Sequence, residues 1–192
     1  TCQQIDLLTR YLELLAKWNK AYNLTAVREP EQMVYRHIID SLSIAPYVNS
    51  ENILDVGSGP GLPGIPLAIL YPKKRISTLD SNGKKTRFMT QVKLELALNN
   101  LTVVNSRVES YQPDNLFDEI TSRAFSSLVD MVYGVKHLLS VSGVYLAMKG
   151  LYPEKELSEL TKQADSELVN VVSLHVPGID GDRHLVILRN KY

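Results

Sequence analysis

The sequence predicts an α/β fold: a mostly parallel sheet of seven strands wrapped on both faces by helices, with an N-terminal helical cap and an antiparallel C-terminal hairpin. Three observations predict it. Past residue 50, five short apolar runs alternate with helical patterns, the signature of parallel strands joined by crossover helices. The fifth run, Val144-Tyr145-Leu146-Ala147-Met148, is apolar without alternation, as in a strand covered on both faces. Two further runs near the C-terminus are joined by a connection too short for a crossover helix, so they must pair antiparallel.

The elements follow in order. From Ile5 to Trp18, apolar residues including Leu8, Leu12 and Leu15 recur at steps of three and four, giving an amphipathic helix. A second helical pattern, about Glu31 to Ala45, follows Pro30, a residue suited to a helix's first turn. These two helices make a cap over residues 1–48, and residues 49–192 make the core of the same single domain. Strands are expected at 53–56, 76–79, 102–105, 118–123 and 144–148, with helices over 63–70, 84–98 and 127–139 between them. A polar helix near 153–166 precedes the runs 169–176 and 185–188, which flank the Gly- and Asp-rich connection "PGIDGDRH".

Composition narrows the function. Hydrophobic residues are 44% and charged residues 22%, ordinary for a globular chain. No apolar run reaches membrane-spanning length and no secretory leader is visible, so a soluble, cytoplasmic protein without membrane partners is expected. The single Cys2 and four scattered histidines offer no metal-ligand spacing, and no metal is expected. Net charge is zero, although Lys73, Lys74, Arg75, Lys84, Lys85 and Arg87 face a single acid, Asp80, within one stretch.

The chemistry concentrates in "ILDVGSGPGLPGIPLAIL", residues 53–70. A strand running into glycines and then a helix makes a tight turn whose backbone amides are expected to lie open to a ligand above the sheet's carboxyl edge. The glycines read either as G-x-G-x-G (Gly57, Gly59, Gly61) or as G-x-G-x-x-G (Gly59, Gly61, Gly64). Asp55, just ahead of them, disfavours a negative pyrophosphate and favours S-adenosylmethionine, which has no phosphate and carries an amino group and a sulfonium. Asp80 ends the next strand, where a carboxylate accepts from a ribose diol.

"DVGSGPG" with Asp80 resembles the first two motifs of Rossmann-like class I S-adenosylmethionine-dependent methyltransferases. In chain order, "KWNKAYNLTAV", "RHIIDSL", "GPGLPGIPLAI", "SRVE", "SRAFSSL", "LAMKG" and "DGDRHLV" are similar to the RsmG family, also called glucose-inhibited division protein B (GidB). The resemblance covers nearly the whole chain. It implies N7-methylation of a guanine in the 530 loop of bacterial 16S rRNA, guanine 527 in rRNA numbering, with 16S rRNA or the small ribosomal subunit as partner; nothing in the sequence requires more than a monomer.

Carried over residue by residue, the resemblance implies cofactor contacts at Gly57 and Leu62, close backbone approach at Gly59 and Gly61, and the ribose acid at Asp80. It implies an adenine-binding turn at Val108 and Glu109, and Arg123 near both cofactor and reacting centre. His37 and Asp40 match family positions, though three apart on one helix they also read as a local pair. Lys149, ending the fifth strand, reads as a phosphate contact or a helix-entry turn. The basic residues from Lys73 to Arg87, with Lys17, Lys20, Arg28 and Arg36 in the cap, are candidates for RNA phosphates. A methyltransferase acting on another substrate, and a non-catalytic S-adenosylmethionine- or RNA-binding protein, share these cofactor residues. A nucleotide-dependent oxidoreductase is disfavoured by Asp55.

Overall fold

The computed structural model of the chain describes residues 1–123, 125, 127–163 and 166–191, residue 163 by its backbone alone. Ala124 and Ser126 of "SRAFSSL", and residues 164 and 165 of the expected polar helix, lie outside the described residues. Among the described residues, no helix is long and apolar enough to cross a membrane.

Helix α1 (Cys2–Tyr22) starts with a capping box between Thr1 and Gln4 and stops at Asn23, whose left-handed backbone (φ 52°, ψ 52°) closes the last turn. The second helical stretch is not one regular helix. It runs as α2 (Pro30–Met33), a π-helical segment (Val34–Ile39) and α3 (Asp40–Leu42), followed by a 3₁₀ turn at Ala45–Tyr47. Sequence periodicity does not separate a π segment of six residues, with i→i+5 bonds, from an α-helix.

The sheet comprises β1 (Asn52–Val56), β2 (Arg75–Asp80), β3 (Leu101–Asn105), β4 (Phe117–Ser122), β5 (Leu139–Lys149), β6 (Ser166–Ser173) and β7 (His184–Asn190), in the spatial order β3-β2-β1-β4-β5-β7-β6. The first five strands are parallel; β7 pairs antiparallel with both β5 and β6. Crossovers run through α4 (Gly64–Leu70), α5 (Gly83–Glu95) and α6 (Leu128–Val135), and α7 (Glu154–Gln163) leads to the hairpin. The order of the strands reverses between β1 and β4, the switch point where ligands bind in open α/β sheets.

Two strand bounds differ from expectation. β5 begins at Leu139, five residues early, because α6 stops at Val135 and a 3₁₀ turn at Lys136–Leu138 follows it. Residues 140–143 then bulge, since Phe117 pairs with Leu139 but Glu119 with Val144. β6 runs over 166–173 rather than 169–176; it is an edge strand, half exposed, where the apolar pattern is weak.

Successive strand residues point to opposite faces and feed two cores. Ile53, Ile76, Leu146 and Leu185 pack with Tyr11 and Leu15 of α1, Ile44, and Phe88 of α5. Leu54, Ile120, Tyr145, Val186 and Leu188 pack with Met131, Val132 and Val135 of α6 and Leu160 of α7. The cap thus completes the first core, each fully buried Leu or Ile stabilising by about 1.5–3 kcal/mol.

The third glycine of the longer motif reading is a packing residue. A Cβ on Gly64 would stand 2.5 Å from Thr78 Cγ2 and 2.8 Å from Asp55 Oδ2. Gly64→Ala should therefore destabilise the chain by about 1–3 kcal/mol through overpacking. Urea denaturation checks this, and a variant as stable as wild type would show that α4 shifts freely over β1 and β2.

Candidate functional site

The loop from Gly57 to Leu67 is closed on itself. Gly57 and Ser58 both donate to the Leu79 carbonyl, Gly59 donates to Asp80 Oδ2 (2.8 Å) and Gly64 to Asp55 Oδ2 (2.9 Å). Gly61 and Leu62 donate to the Ser58 carbonyl, Ile65 to Gly61 and Leu67 to Pro63, while Pro60, Pro63 and Pro66 have no N–H. Every amide expected to lie open to a ligand therefore already has an acceptor. The reason is the pair of acids, which take the two donors that no carbonyl reaches. Such a loop has no free donors to cradle a pyrophosphate, and the dinucleotide reading falls with them.

Glycine is required here for backbone geometry: Gly57 and Gly59 sit at φ 68° and 60°, a region costly for residues with a Cβ. Ser58 Oγ donates to the Asp55 carbonyl and Tyr11 Oη, from the cap, to that of Pro60. Asp55 itself is fully buried, and Oδ1 has no hydrogen-bond partner among the described residues. Burial pushes its carboxyl up to about 7.

A cavity of about 260 Å³ opens beyond the ends of β1, β2 and β3, lined by Gly57, Asp80, Val108, Glu109, Arg107 and Phe125 among others. Four of the residues expected to hold a cofactor thus meet there: Gly57, Asp80, Val108 and Glu109. Asp80 Oδ1 accepts from Asn82 and Oδ2 from Gly59, which leaves lone pairs on both oxygens for a diol. Asp55, Gly59, Gly61 and Leu62 do not line this cavity; they shape and anchor the loop beside it.

Arg123, at the end of β4, lines a second cavity of about 370 Å³ beyond β5 and β7, together with Arg36, His37, Asp40, Lys149, Arg183 and His184. Arg123 Nη1 lies 3.1 Å from Asp40 Oδ2 and donates also to the Arg36 carbonyl, while Arg183 Nε lies 3.0 Å from Asp40 Oδ1. The local His37–Asp40 pair does not form. Instead the π segment turns His37 toward Thr25, whose Oγ1 is 3.0 Å from Nε2, and leaves Asp40 to two guanidinium groups from β4 and the hairpin connection. Burial lowers the His37 imidazole to about 4, aided by Arg123, so the ring is neutral at pH 7.

The basic candidates from Lys73 to Arg87 separate into two groups. Lys73, Lys74 and Arg75 lie at the start of β2, about 17 Å of strand away from the carboxyl edge that carries both cavities. Lys74 is further tied to the carbonyls of Asn49 and Ser50 and to Glu51, and so serves the junction of cap and core. Lys84, Lys85 and Arg87 begin α5 at the carboxyl edge, with Lys85 Nζ 4.0 Å from Asp80 Oδ2. Lys149 Nζ pairs with Glu156 Oε2 at 2.8 Å, the oxygen that also accepts from the Leu128 amide.

Sequence reasoning quoted "DGDRHLV" without assigning Arg183 or His184, and had no signal for Glu156. The charged pair inside an otherwise turn-and-strand motif was the available clue to the first two.

Strand order, the acid-clamped glycine loop and the carboxylate ending the second strand define the class I fold of S-adenosylmethionine-dependent methyltransferases. The glycopeptide N-methyltransferase MtfA, solved in complex with S-adenosylmethionine, superposes with a TM-score of 0.69 at 12% identity, covering 81% of this chain and 88% of that one. The chain belongs to the family described as rRNA small subunit methyltransferase G, whose model matches residues 4–186. Ribosomal RNA small subunit methyltransferase G of Pseudomonas syringae pv. tomato is 58% identical, over 97% of this chain and 87% of that protein. The protein of the same description from Pseudomonas aeruginosa strain PAO1 is 59% identical over 95% and 85%.

Asp55 offers a test of the loop's electrostatics. Its carboxyl sits at about 7 in the fold against about 4 unfolded, so its favourable contribution is complete below pH 4 and lost as pH rises through 7. The stability of Asp55→Asn relative to wild type should therefore climb between about pH 4 and 7, by up to about 1.4 kcal/mol per pH unit, and level off above. Denaturant titrations across that range measure it; a constant difference would mean that Asp55 is ionised throughout.

Proposed function

We propose that this chain transfers the methyl group of S-adenosylmethionine to N7 of a guanine in small-subunit ribosomal RNA, the 530-loop guanine 527 of 16S rRNA. The observation that carries the reading is that residues two apart in the chain, just past β4, line the two cavities. Phe125 lines the first, where Asp80 offers a diol acceptor, and Arg123 lines the second, where cations gather. Family membership supports ribosomal RNA as the substrate class.

The loop's lack of free amide donors fits a cofactor without phosphates. Bound there, S-adenosylmethionine supplies an electrophilic methyl on a sulfonium. Asp80 would hold the ribose, with Val108 and Glu109 beside the adenine. Guanine N7 has an available lone pair, so no residue need remove a proton from the nucleophile. The work left to the protein is alignment, which is worth on the order of 7 kcal/mol in favourable cases. Arg123, held on Asp40 and the Arg36 carbonyl, is a positioning group rather than an acid. The methylated guanine is cationic, and a neutral His37 in the same cavity adds no opposing charge.

The test is methyl transfer from labelled S-adenosylmethionine to small ribosomal subunits lacking the 530-loop modification, the modified base being mapped by mass spectrometry. Label on guanine N7 supports the reading. Cofactor binding without label there would favour another acceptor or a sensing role. Two variants refine it. Asp80→Ala should weaken cofactor affinity about tenfold or more by calorimetry, since a charged acceptor is lost; unchanged affinity removes Asp80 from the ribose. Arg123→Ala should cut turnover on the order of a hundredfold through misalignment, with a near-normal melting temperature because Arg183 still pairs with Asp40. A fully active Arg123→Ala enzyme would contradict the positioning role.

A further inference from the structure

The second cavity opens beside two rings that the end of β5 and the start of β7 bring together. His184 pairs in register with Lys149, and its Nδ1 lies 2.8 Å from the Gly150 carbonyl oxygen. A carbonyl only accepts, so Nδ1 donates this bond and fixes the orientation of the ring. Tyr152 stands edge-on to this imidazole, centroids 5.5 Å apart and planes at 86°. It is 55% exposed, and Leu151 beside it is 75% exposed. Adjacent in the chain, these two side chains present apolar surface beside the cavity that His184 lines.

The surroundings indicate what covers that surface. His184 lines the cavity with Arg36, Arg123, Lys149 and Arg183, cations in excess of Asp40 and of the Glu156 that pairs with Lys149. Exposed rings next to a cationic channel are how single-stranded RNA is held: bases stack on the rings and phosphates follow the cations. Resting on the proposed function, we propose that Tyr152, braced at right angles against His184, is a stacking platform for the unpaired base next to the target guanine. The platform works by ring area, so it acts on capture of the RNA and leaves the alignment of cofactor and N7 to Arg123.

Steady-state methyl transfer to unmodified small subunits by wild type, Tyr152→Ala and Tyr152→Phe tests this. Tyr152→Ala should raise KM for the subunit at least about fivefold. Its kcat and S-adenosylmethionine affinity should be unchanged, and Tyr152→Phe should behave as wild type. An unchanged KM for Tyr152→Ala, or a Tyr152→Phe variant equally impaired, overturns the platform while wild-type transfer keeps the proposed function standing. No transfer by wild type overturns that function instead. A second readout then decides the platform alone: emission of a Tyr152→Trp variant should be quenched by a single-stranded RNA oligonucleotide centred on guanosine, over any change at Trp18 in wild type. Absence of quenching overturns the platform. A KM effect on subunits without quenching by RNA overturns it in favour of a ribosomal-protein contact.

Discussion

Two carboxylates on adjacent strands, Asp55 of β1 and Asp80 of β2, hold the glycine loop by accepting from Gly64 and Gly59. The first cavity takes its shape from that clamp, for Gly57 and Asp80 both line it. Asp55 sets where α4 begins, and the closeness of α4 to the sheet is possible only because residue 64 has no side chain. Asp80 draws the loop toward β2 and still presents lone pairs to the space beyond the strand ends. Tyr11 reaches from the cap to the Pro60 carbonyl, so the cap supports the loop as well as the core. The cost of burying Asp55 is visible in its raised pKa, and backbone donors recover part of it.

A second acid organises the other half of the site. Asp40 is almost buried and takes one guanidinium from β4 and another from the hairpin connection, joining three parts of the chain that are distant in sequence. Two cations on one anion leave excess positive charge facing the second cavity, in keeping with a polyanionic substrate. Removing either arginine alone leaves the carboxylate paired, whereas removing Asp40 would leave two guanidinium groups facing each other without an anion. The hairpin connection is itself pressed onto the cap, for a Cβ on Gly178 would lie 2.3 Å from the Tyr35 ring.

The strand and helix order was legible because each strand is short, apolar and bounded by turn residues, and the glycine loop with Asp80 marked the carboxyl edge. What periodicity could not show was set by tertiary demands. Around the π segment, His37 reaches Thr25 while Asp40 takes Arg123 and Arg183, partners that no local spacing indicates. The state of the loop amides depended on acids whose side-chain directions no spacing rule specifies. Lys73 to Arg75 and Lys84 to Arg87 look like one basic cluster in sequence, yet β2 runs between them and carries them to opposite ends of the sheet. Arg183 escaped notice because its partner lies 143 residues away.

The central claim is that the smaller cavity, closed to phosphate by a loop with no spare amides, is built for an adenosyl group, with the reacting sulfur directed to the cavity around Arg123. A crystal structure of the chain with S-adenosylhomocysteine tests this most directly. The account predicts ribose hydroxyls on Asp80, adenine beside Val108 and Glu109, and sulfur toward Arg123. Adenine seated instead among Arg36, Lys149 and Arg183, or a ribose out of reach of Asp80, would contradict it.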